Sequence, residues 1–355
     1  MEYITLKLSA ETEGTFQKRL DSLFGKLKGE LDERGWNVEN VVCARVFFSD
    51  AANQLEEFEK HPLFAELLSH CALSYVEQPP LDGSKINVLV NFSSHPVRRY
   101  GTHDKCILQI GRNRHLWQSI RFTADEVAGL TAKEQAHEAF RRHIEWLKEQ
   151  GLNLKDNCVR TWLYVRDIDY NYHDVVVARN EVFRVEGLTP DTHFIASTGI
   201  GGTCETSKAL VCVDFWSVDA PGLSQKYLQA LDYLNPTHEY GVAFERGVEL
   251  CVGNSRTVSI SGTASIDKNG QCIYIGDVLK QTDRLFLNME KLLEDGNMAY
   301  GDVHAMMVYL RDPSDYKVVN AYLENRFPNI PKVVLLAPVC RPHWLIEVEC
   351  LAGDF

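Results

Sequence analysis

Glu347 and Glu349 stand two residues apart in an otherwise apolar stretch near the C-terminus, Trp344-Leu-Ile-Glu-Val-Glu-Cys350. Side chains alternate along a β-strand, so both carboxylates fall on one face, while Ile346, Val348 and Cys350 fall on the other. A carboxyl set among apolar neighbours holds its proton to higher pH and can act as a general acid. The competing reading is a solvated strand edge. Other chemistries find no support. There is no P-loop, dinucleotide fingerprint or His/Cys cluster, and no cofactor or metal is expected. His137 and His143 miss the i, i+4 spacing of a helical zinc pair.

The chain is 355 residues long, 45% hydrophobic and 24% charged, the profile of a globular protein of two or three domains. Its formal net charge of −12 argues against general nucleic-acid binding, yet allows a local basic pocket for a small anionic metabolite. No apolar run approaches the roughly 20 residues that span a bilayer, so no membrane partner is expected. The N-terminus reads as a first strand, not a signal peptide. The ten cysteines are scattered without a Cys-x-x-Cys pair, which suggests reduced thiols and a cytoplasmic location.

The elements that must hold these residues repeat three times. Amphipathic helices are marked by Phe16, Leu20, Leu23, Leu27 and Leu31, by Ala136, Phe140, Ile144 and Leu147, and by Val278, Thr282, Leu285, Met289 and Leu292. The middle one opens on the capping box Thr131-Ala-Lys-Glu134. Gly35, Gly151 and Gly296 follow the three helices and suit left-handed caps. Next come strands ending in Asp50, Asp167 and Asp312, then a further helix and two strands. The closing pairs are predicted at 73–77 with 86–92, 193–197 with 209–216, and 333–336 with 344–351. Long loops are expected at 93–103 and 216–256. The fold class is therefore α+β, with three β-α-β-α-β-β units over 1–100, 101–225 and 226–355. Three such open sheets are best buried against one another about a threefold axis, as an intrachain pseudo-trimer.

The final strands of the units differ. The third carries Glu347 and Glu349, the second keeps only Asp214, and the first, Lys85-Ile-Asn-Val-Leu-Val-Asn-Phe92, has no carboxylate. That asymmetry suggests three comparable clefts with chemistry retained in one.

The third unit resembles the RidA/YjgF superfamily through Ser261-Gly-Thr263, Gly276-Asp-Val278, Val308-Tyr-Leu-Arg-Asp312, Arg326-Phe-Pro328 and Leu345-Ile-Glu-Val-Glu-Cys-Leu-Ala352. Residues 105–355 more closely resemble the chorismatase branch. The stretches are Ala178-Arg-Asn-Glu-Val-Phe183, Ala196-Ser-Thr-Gly-Ile-Gly201, Tyr240-Gly-Val-Ala-Phe-Glu-Arg246, Ser261-Gly-Thr-Ala-Ser265 and Cys340-Arg-Pro-His-Trp-Leu-Ile-Glu347. The resemblance implies a cofactor-free enzyme releasing pyruvate from chorismate, giving a hydroxybenzoate or a dihydroxycyclohexadiene carboxylate. It implies a site between the second and third units, with Glu347 as general acid and Cys340 in the pocket lining. Trp344, Leu345 and Ile346 would supply an apolar wall.

Such a substrate carries two carboxylates, and arginine binds these in bidentate fashion. The candidates are Arg179, Arg246, Arg311 and Arg341, with Lys332 behind them; Arg246 and Arg341 lie in the family-like stretches. Tyr240 opens the stretch that ends in Arg246. Ser197, Thr198 and Gly199, and Ser261, Gly262 and Thr263, read as two turns able to present N–H groups and hydroxyls to an anion.

The rival reading is a RidA-type enamine/imine deaminase. That activity uses an arginine on the penultimate strand, where this chain has Lys332. A third is a non-catalytic protein that binds a small metabolite. A pseudo-trimer in one chain suits a monomer or a small homo-oligomer.

Overall fold

The structure is a computed structural model that describes residues 3–353, and of Tyr3 and Tyr240 only the backbone. The first unit runs β1 (Tyr3–Ser9), α1 (Phe16–Arg34), β2 (Val41–Phe48), α2 (Ala51–Glu59), α3 (Pro62–Leu67), β3 (Ala72–Glu77) and β4 (Ile86–Ser93). The second runs β5 (Arg98–Gly101), β6 (Lys105–Ile110), β7 (Asn113–Ile120), α4 (Ala132–Glu149), α5 (Leu154–Asn157), β8 (Cys158–Val165), α6 (Ile168–Val185), β9 (Ala196–Gly201) and β10 (Val211–Asp219). The third runs β11 (Ser224–Tyr227), β12 (Gly247–Val252), β13 (Ser255–Ala264), α7 (Val278–Asp295), β14 (Val303–Leu310), α8 (Tyr316–Arg326), β15 (Lys332–Leu336) and β16 (Ile346–Gly353).

The three sheets share one order: β1-β4-β2-β3, β7-β10-β8-β9 and β13-β16-β14-β15. The last pair in each is parallel and is joined by helix, as a parallel connection requires; the other neighbours are antiparallel. Two sheets are widened by edge strands, β6 with β5 and β12 with β11. These strands correct the loops expected at 93–103 and 216–256. Arg98-Arg-Tyr-Gly101 and Ser224-Gln-Lys-Tyr227 are short and largely exposed, so they lack the apolar alternation that marks a half-buried strand.

All residues of β2, β4 and β8 are buried, so both faces of the sheets are covered. Helices cover one face and the neighbouring units cover the other, as a pseudo-trimer. Isolated bridges stitch all three boundaries: Glu77 to Thr203, Ile200 to Val339 and Pro80 to Leu335.

The repeated aspartates are helix starts. Asp50 caps α2 by accepting from Asn53 N, and Asp312 caps the short turn before α8 by accepting from Ser314 N. Such caps are typically worth ~1 kcal/mol. Gly35 and Gly151 take positive φ as expected, but Gly296 does not; Asn297 takes the left-handed position instead, at φ 52°. Gly296 serves close packing, since a Cβ there would sit 3.0 Å from Val258 Cγ2.

The strand expected at 193–197 lies at Ala196–Gly201, paired with β8 from Arg160 onward. Its glycines are strand residues, not turn residues. A Cβ at Gly199 would sit 2.7 Å from the Tyr172 ring, and one at Gly201 the same distance from Pro338. Close approach by other elements demands glycine here. Likewise Ser261, Gly262 and Thr263 lie inside β13, not in a turn. Between Ile260↔Cys350 and Thr263↔Val348, two residues of β13 oppose one of β16, Glu349, which makes a β-bulge.

Candidate active site

β9, β13, the start of β16 and one face of α6 line a pocket between the second and third units. Its lining brings together Arg179, Ser197, Gly199, Arg246, Gly262, Cys340, Arg341 and Glu347 from the sequence candidates. Of the wall residues expected before Glu347, only Trp344 reaches it. The rest of the apolar wall is Val242, Phe244, Ala264 and Ile266. Leu345 and Ile346 do not line the cavity; Ile346 points into the core under the opposite face of β16.

Glu347 is 4% exposed. The bulge puts Gly262 against its carboxyl so closely that a Cβ on Gly262 would sit 2.0 Å from Oε1. Burial pushes the Glu347 carboxyl up to about 8; Glu349 adds to this, and Arg160 and Arg246 oppose it. At neutral pH the group is therefore an acid with a proton to give.

Glu349, on the same face of β16, has a different setting. It accepts from Arg160 Nη2 at 2.5 Å, Tyr309 Oη at 2.9 Å, Trp162 Nε1 at 3.0 Å and Arg45 Nη1 at 3.3 Å, and from the Thr198 hydroxyl. The donors come from all three units. Glu349 lies beneath the cavity and does not line it.

The arginines are spaced by an aromatic. Arg179 and Arg246 carry their guanidinium carbons 6.0 and 5.5 Å from the centroid of the Phe244 ring. Arg246 also donates to Asn235 O at 3.1 Å. Arg341 is exposed at the rim, 5.2 Å from the Trp344 ring. Three cations thus face one protonated acid, an arrangement suited to an anionic ligand. Burial, and then Glu347, push the Cys340 thiol up to about 12, so it stays a thiol and is no nucleophile.

Several candidates lie elsewhere. Thr198 holds Glu349 and accepts from Gly262 N at 2.9 Å. Ser261 receives Ser197 N at 3.0 Å and donates to Glu245 O. Thr263 donates to Ser261 O. These three hydroxyls are taken up by bonds within the protein and do not reach the cavity, and the N–H groups of Ser197, Ser261 and Gly262 already have partners. The two anion-binding turns are therefore replaced by paired strands. Arg311 grips Asp169 at 2.6 and 3.0 Å and Val339 O, away from the cavity. Lys332 is buried against Phe327 O and Glu324. Tyr240 ends a short 3₁₀ turn, Thr237–Tyr240, and its side chain lies outside the described residues.

Sequence reasoning missed Tyr172 and Phe244. Tyr172 precedes Arg179 by seven residues, two helical turns, and so shares its face of α6. Phe244 lies two residues before Arg246 in the segment that leads into β12. Arg45, Arg160, Trp162 and Tyr309, which bind Glu349, carried no local signal.

Among the described residues no group of three or more His, Cys, Asp or Glu is placed to hold a metal, and no helix is long and apolar enough to cross a membrane.

The Endoribonuclease L-PSP family model matches residues 243–353. A RutC family protein of Pyrococcus abyssi is 30% identical over 103 residues, 28% of this chain and 80% of the relative. The 3-aminoacrylate deaminase RutC of Acinetobacter baylyi is 26% identical over 97 residues, 27% of this chain and 77% of that enzyme. A crystal structure of a chorismatase aligns over 99% of both chains with a TM-score of 0.70 at 17% identity, a likeness of fold. The chain belongs to the RidA/YjgF superfamily: its C-terminal unit carries the L-PSP module, and its three units together have the fold of chorismatase.

Proposed function

We propose that the protein is a chorismatase-like enzyme that releases pyruvate from chorismate. One observation carries the reading: Glu347, protonated near neutrality, faces a cavity lined by Arg179, Arg246 and Arg341. The full-length likeness to a chorismatase fold supports it.

Chorismate is an enol ether with two carboxylates. The arginines bind the carboxylates, and Glu347 delivers its proton to the terminal methylene carbon of the enolpyruvyl group. The C=C electron pair forms the new C–H bond, and positive charge develops on the ether-bearing carbon. Water adds there and its proton returns to the Glu347 carboxylate. The C–O bond of the resulting hemiketal then breaks as its hydroxyl proton passes to the departing ring oxygen, giving pyruvate and a ring hydroxyl. A positioned general acid contributes about 10²–10⁴-fold. The dry apolar wall of Val242, Phe244, Ile266 and Trp344 keeps the acid protonated until substrate arrives.

The same acid can protonate an enamine, so imine deamination is the rival. Lys332, the cation that reading needs, is held by Phe327 O and Glu324 outside the cavity, which counts against it. Purified protein mixed with chorismate should release pyruvate together with an aromatic or diene acid. Glu347→Gln should lose that turnover while still unfolding in one cooperative thermal transition. Faster hydrolysis of an imine than of chorismate would return the protein to the deaminase group, and silence toward both would leave a metabolite-binding protein. Near-parental activity in Glu347→Gln would remove the acid from the mechanism.

A further inference from the structure

Two carboxylates, 4% and 1% exposed, lie on one face of one strand, and the two differ completely in their hydrogen bonding. Glu349 accepts from five side chains, two of them guanidinium groups. Glu347 accepts from none of the described residues. Ionising Glu347 next to a carboxylate already held by two guanidinium groups is costly, and Glu347 lacks the donors that would offset the cost. The groups around Glu347 are consistent with that division. They are Glu349 on its own strand, Arg160 on β8, Tyr309 opposite it on β14, Arg246 at the start of β12, Tyr172 and Arg179 on α6, and Cys340 and Arg341 before β16.

We propose that Glu349 is a positioning residue whose fixed negative charge assigns the cavity's proton to Glu347, and that Arg45 gives the first unit a part in the site by clamping that charge. Arg45 comes from β2, in the unit that contributes nothing to the cavity wall. Its guanidinium lies 3.3 Å from Glu349 Oε1 and 4.0 Å from the centre of the Trp162 ring, with Nη2 donating to Tyr164 Oη at 2.8 Å. It is fastened on three sides to the other two units. Arg160 completes the clamp and also donates to Thr198 Oγ1 at 2.5 Å. The first unit thus acts as a counter-charge to the acid pair, beyond any scaffold role.

The inference deepens the proposed function, yet its central test needs no substrate. The protonated-carboxyl band in the infrared spectrum of the resting protein should titrate away near pH 8 and be missing from Glu347→Gln across pH 5–9. A band in Glu347→Gln that titrates within that range and is lost on adding Glu349→Gln would mean Glu349 takes up the proton, and would overturn the assignment; a band that survives both changes belongs to another buried carboxyl such as Glu245. In Glu349→Gln, which keeps the shape and loses the charge, the band should vanish at least one unit lower. If chorismate is turned over, the alkaline limb of kcat/KM should move with it, a roughly tenfold loss at pH 9 with little change at pH 5.5. An unmoved limb in a folded Glu349→Gln protein would reduce Glu349 to a structural ion pair. Chorismate left untouched beside a band that behaves as described would sink the lyase reading and leave the proton assignment standing.

Discussion

The boundary between the second and third units has a pocket at the Glu347 position; at the matching position between the first and second, built from the same elements, an arginine takes up the space. Strand register makes the two comparable. Glu347 faces Tyr309 as Cys212 faces Tyr164, and Glu349 faces Met307 as Asp214 faces Trp162. Asp214 is thus the counterpart of Glu349, and the acid position itself is a cysteine in the second unit. Ala264, opposite Glu347, leaves open space; the residue level with it in the second unit is Arg121. The Arg121 guanidinium occupies that space, bonding Asp214 Oδ1 at 2.8 Å and Tyr75 O at 2.9 Å, with the Tyr75 and Tyr164 rings 5.1 and 5.5 Å away. At the third boundary Asn87 takes the acid position, and its side chain is bonded to Ser84 and Asp82. The fold makes three clefts. One small residue for one arginine, and one glutamate for a cysteine or asparagine, set the open cleft apart from the others.

The comparison is broken most severely by making the open cleft resemble the closed one. Ala264→Arg should place a guanidinium against Glu347, pulling its proton off and filling the cavity. A loss of at least ~10²-fold in pyruvate release is expected, the scale of a missing general acid. Gly262→Ala should do comparable damage by another route, since its Cβ would overlap the Glu347 carboxyl. Steady-state assays of both, with circular dichroism to establish folding, test the point. Activity within a factor of a few of the parent in either variant would mean that Glu347 is not confined as the structure has it.

The reverse change bears on stability, not turnover. Arg121→Ala strips Asp214, a carboxylate 2% exposed, of its nearest cation and leaves Arg45 Nη2 at 3.8 Å. Breaking such a buried pair costs about 3–5 kcal/mol. Urea unfolding should show that loss, while kcat/KM stays within about twofold because the working cleft lies at another boundary. A large fall in kcat/KM in a folded Arg121→Ala protein would show that the clefts are coupled. A smaller effect is expected of Arg246→Lys. It keeps the charge and loses the planar fork, so KM for a dicarboxylate should rise roughly tenfold, about 1.4 kcal/mol, with kcat less affected.

Features set by local sequence were legible, and features set by approach between units were not. The stripe Leu20, Leu23, Leu27 and Leu31 announces α1 because helical period is local, and Asp50 and Asp312 announce the next helix because capping is local; Asp167 stands at the same place in a left-handed conformation and makes no side-chain cap. Glu347 and Glu349 were visible as a pair because strand alternation is local too. Their division of labour was not, since it depends on Arg45, 304 positions from Glu349 in sequence, and on Arg160, 189 positions away. The glycines at 199 and 262 show the same limit. Each reads as a turn residue until Tyr172 or Glu347 is seen pressing on it from another element. Ser261 and Thr198 looked like anion ligands for the same reason: a hydroxyl beside a glycine gives no sign of which strand will take its hydrogen bond.

A pH profile of stability separates the two boundaries without touching substrate. Glu347 has a folded-state pKa of about 8, above its ordinary 4.5. Between those values the unfolded chain has lost a proton that the folded chain keeps, so the unfolded state binds fewer protons and stability falls as pH rises. Below about 4.5 both states hold the proton, and above about 8 both have lost it, so the contribution is level at each end. Glu347→Gln should remove this slope between pH 5 and 8 and be more stable than the parent at pH 8. Cys212→Ser at the counterpart position, carrying no group that ionises in this window, should leave the slope as it is. Urea midpoints at pH 5, 6.5 and 8 for the three proteins decide it. Parallel lines for the parent and Glu347→Gln would mean that Glu347 ionises in the folded protein as readily as in water, and its use as an acid would fall with that result.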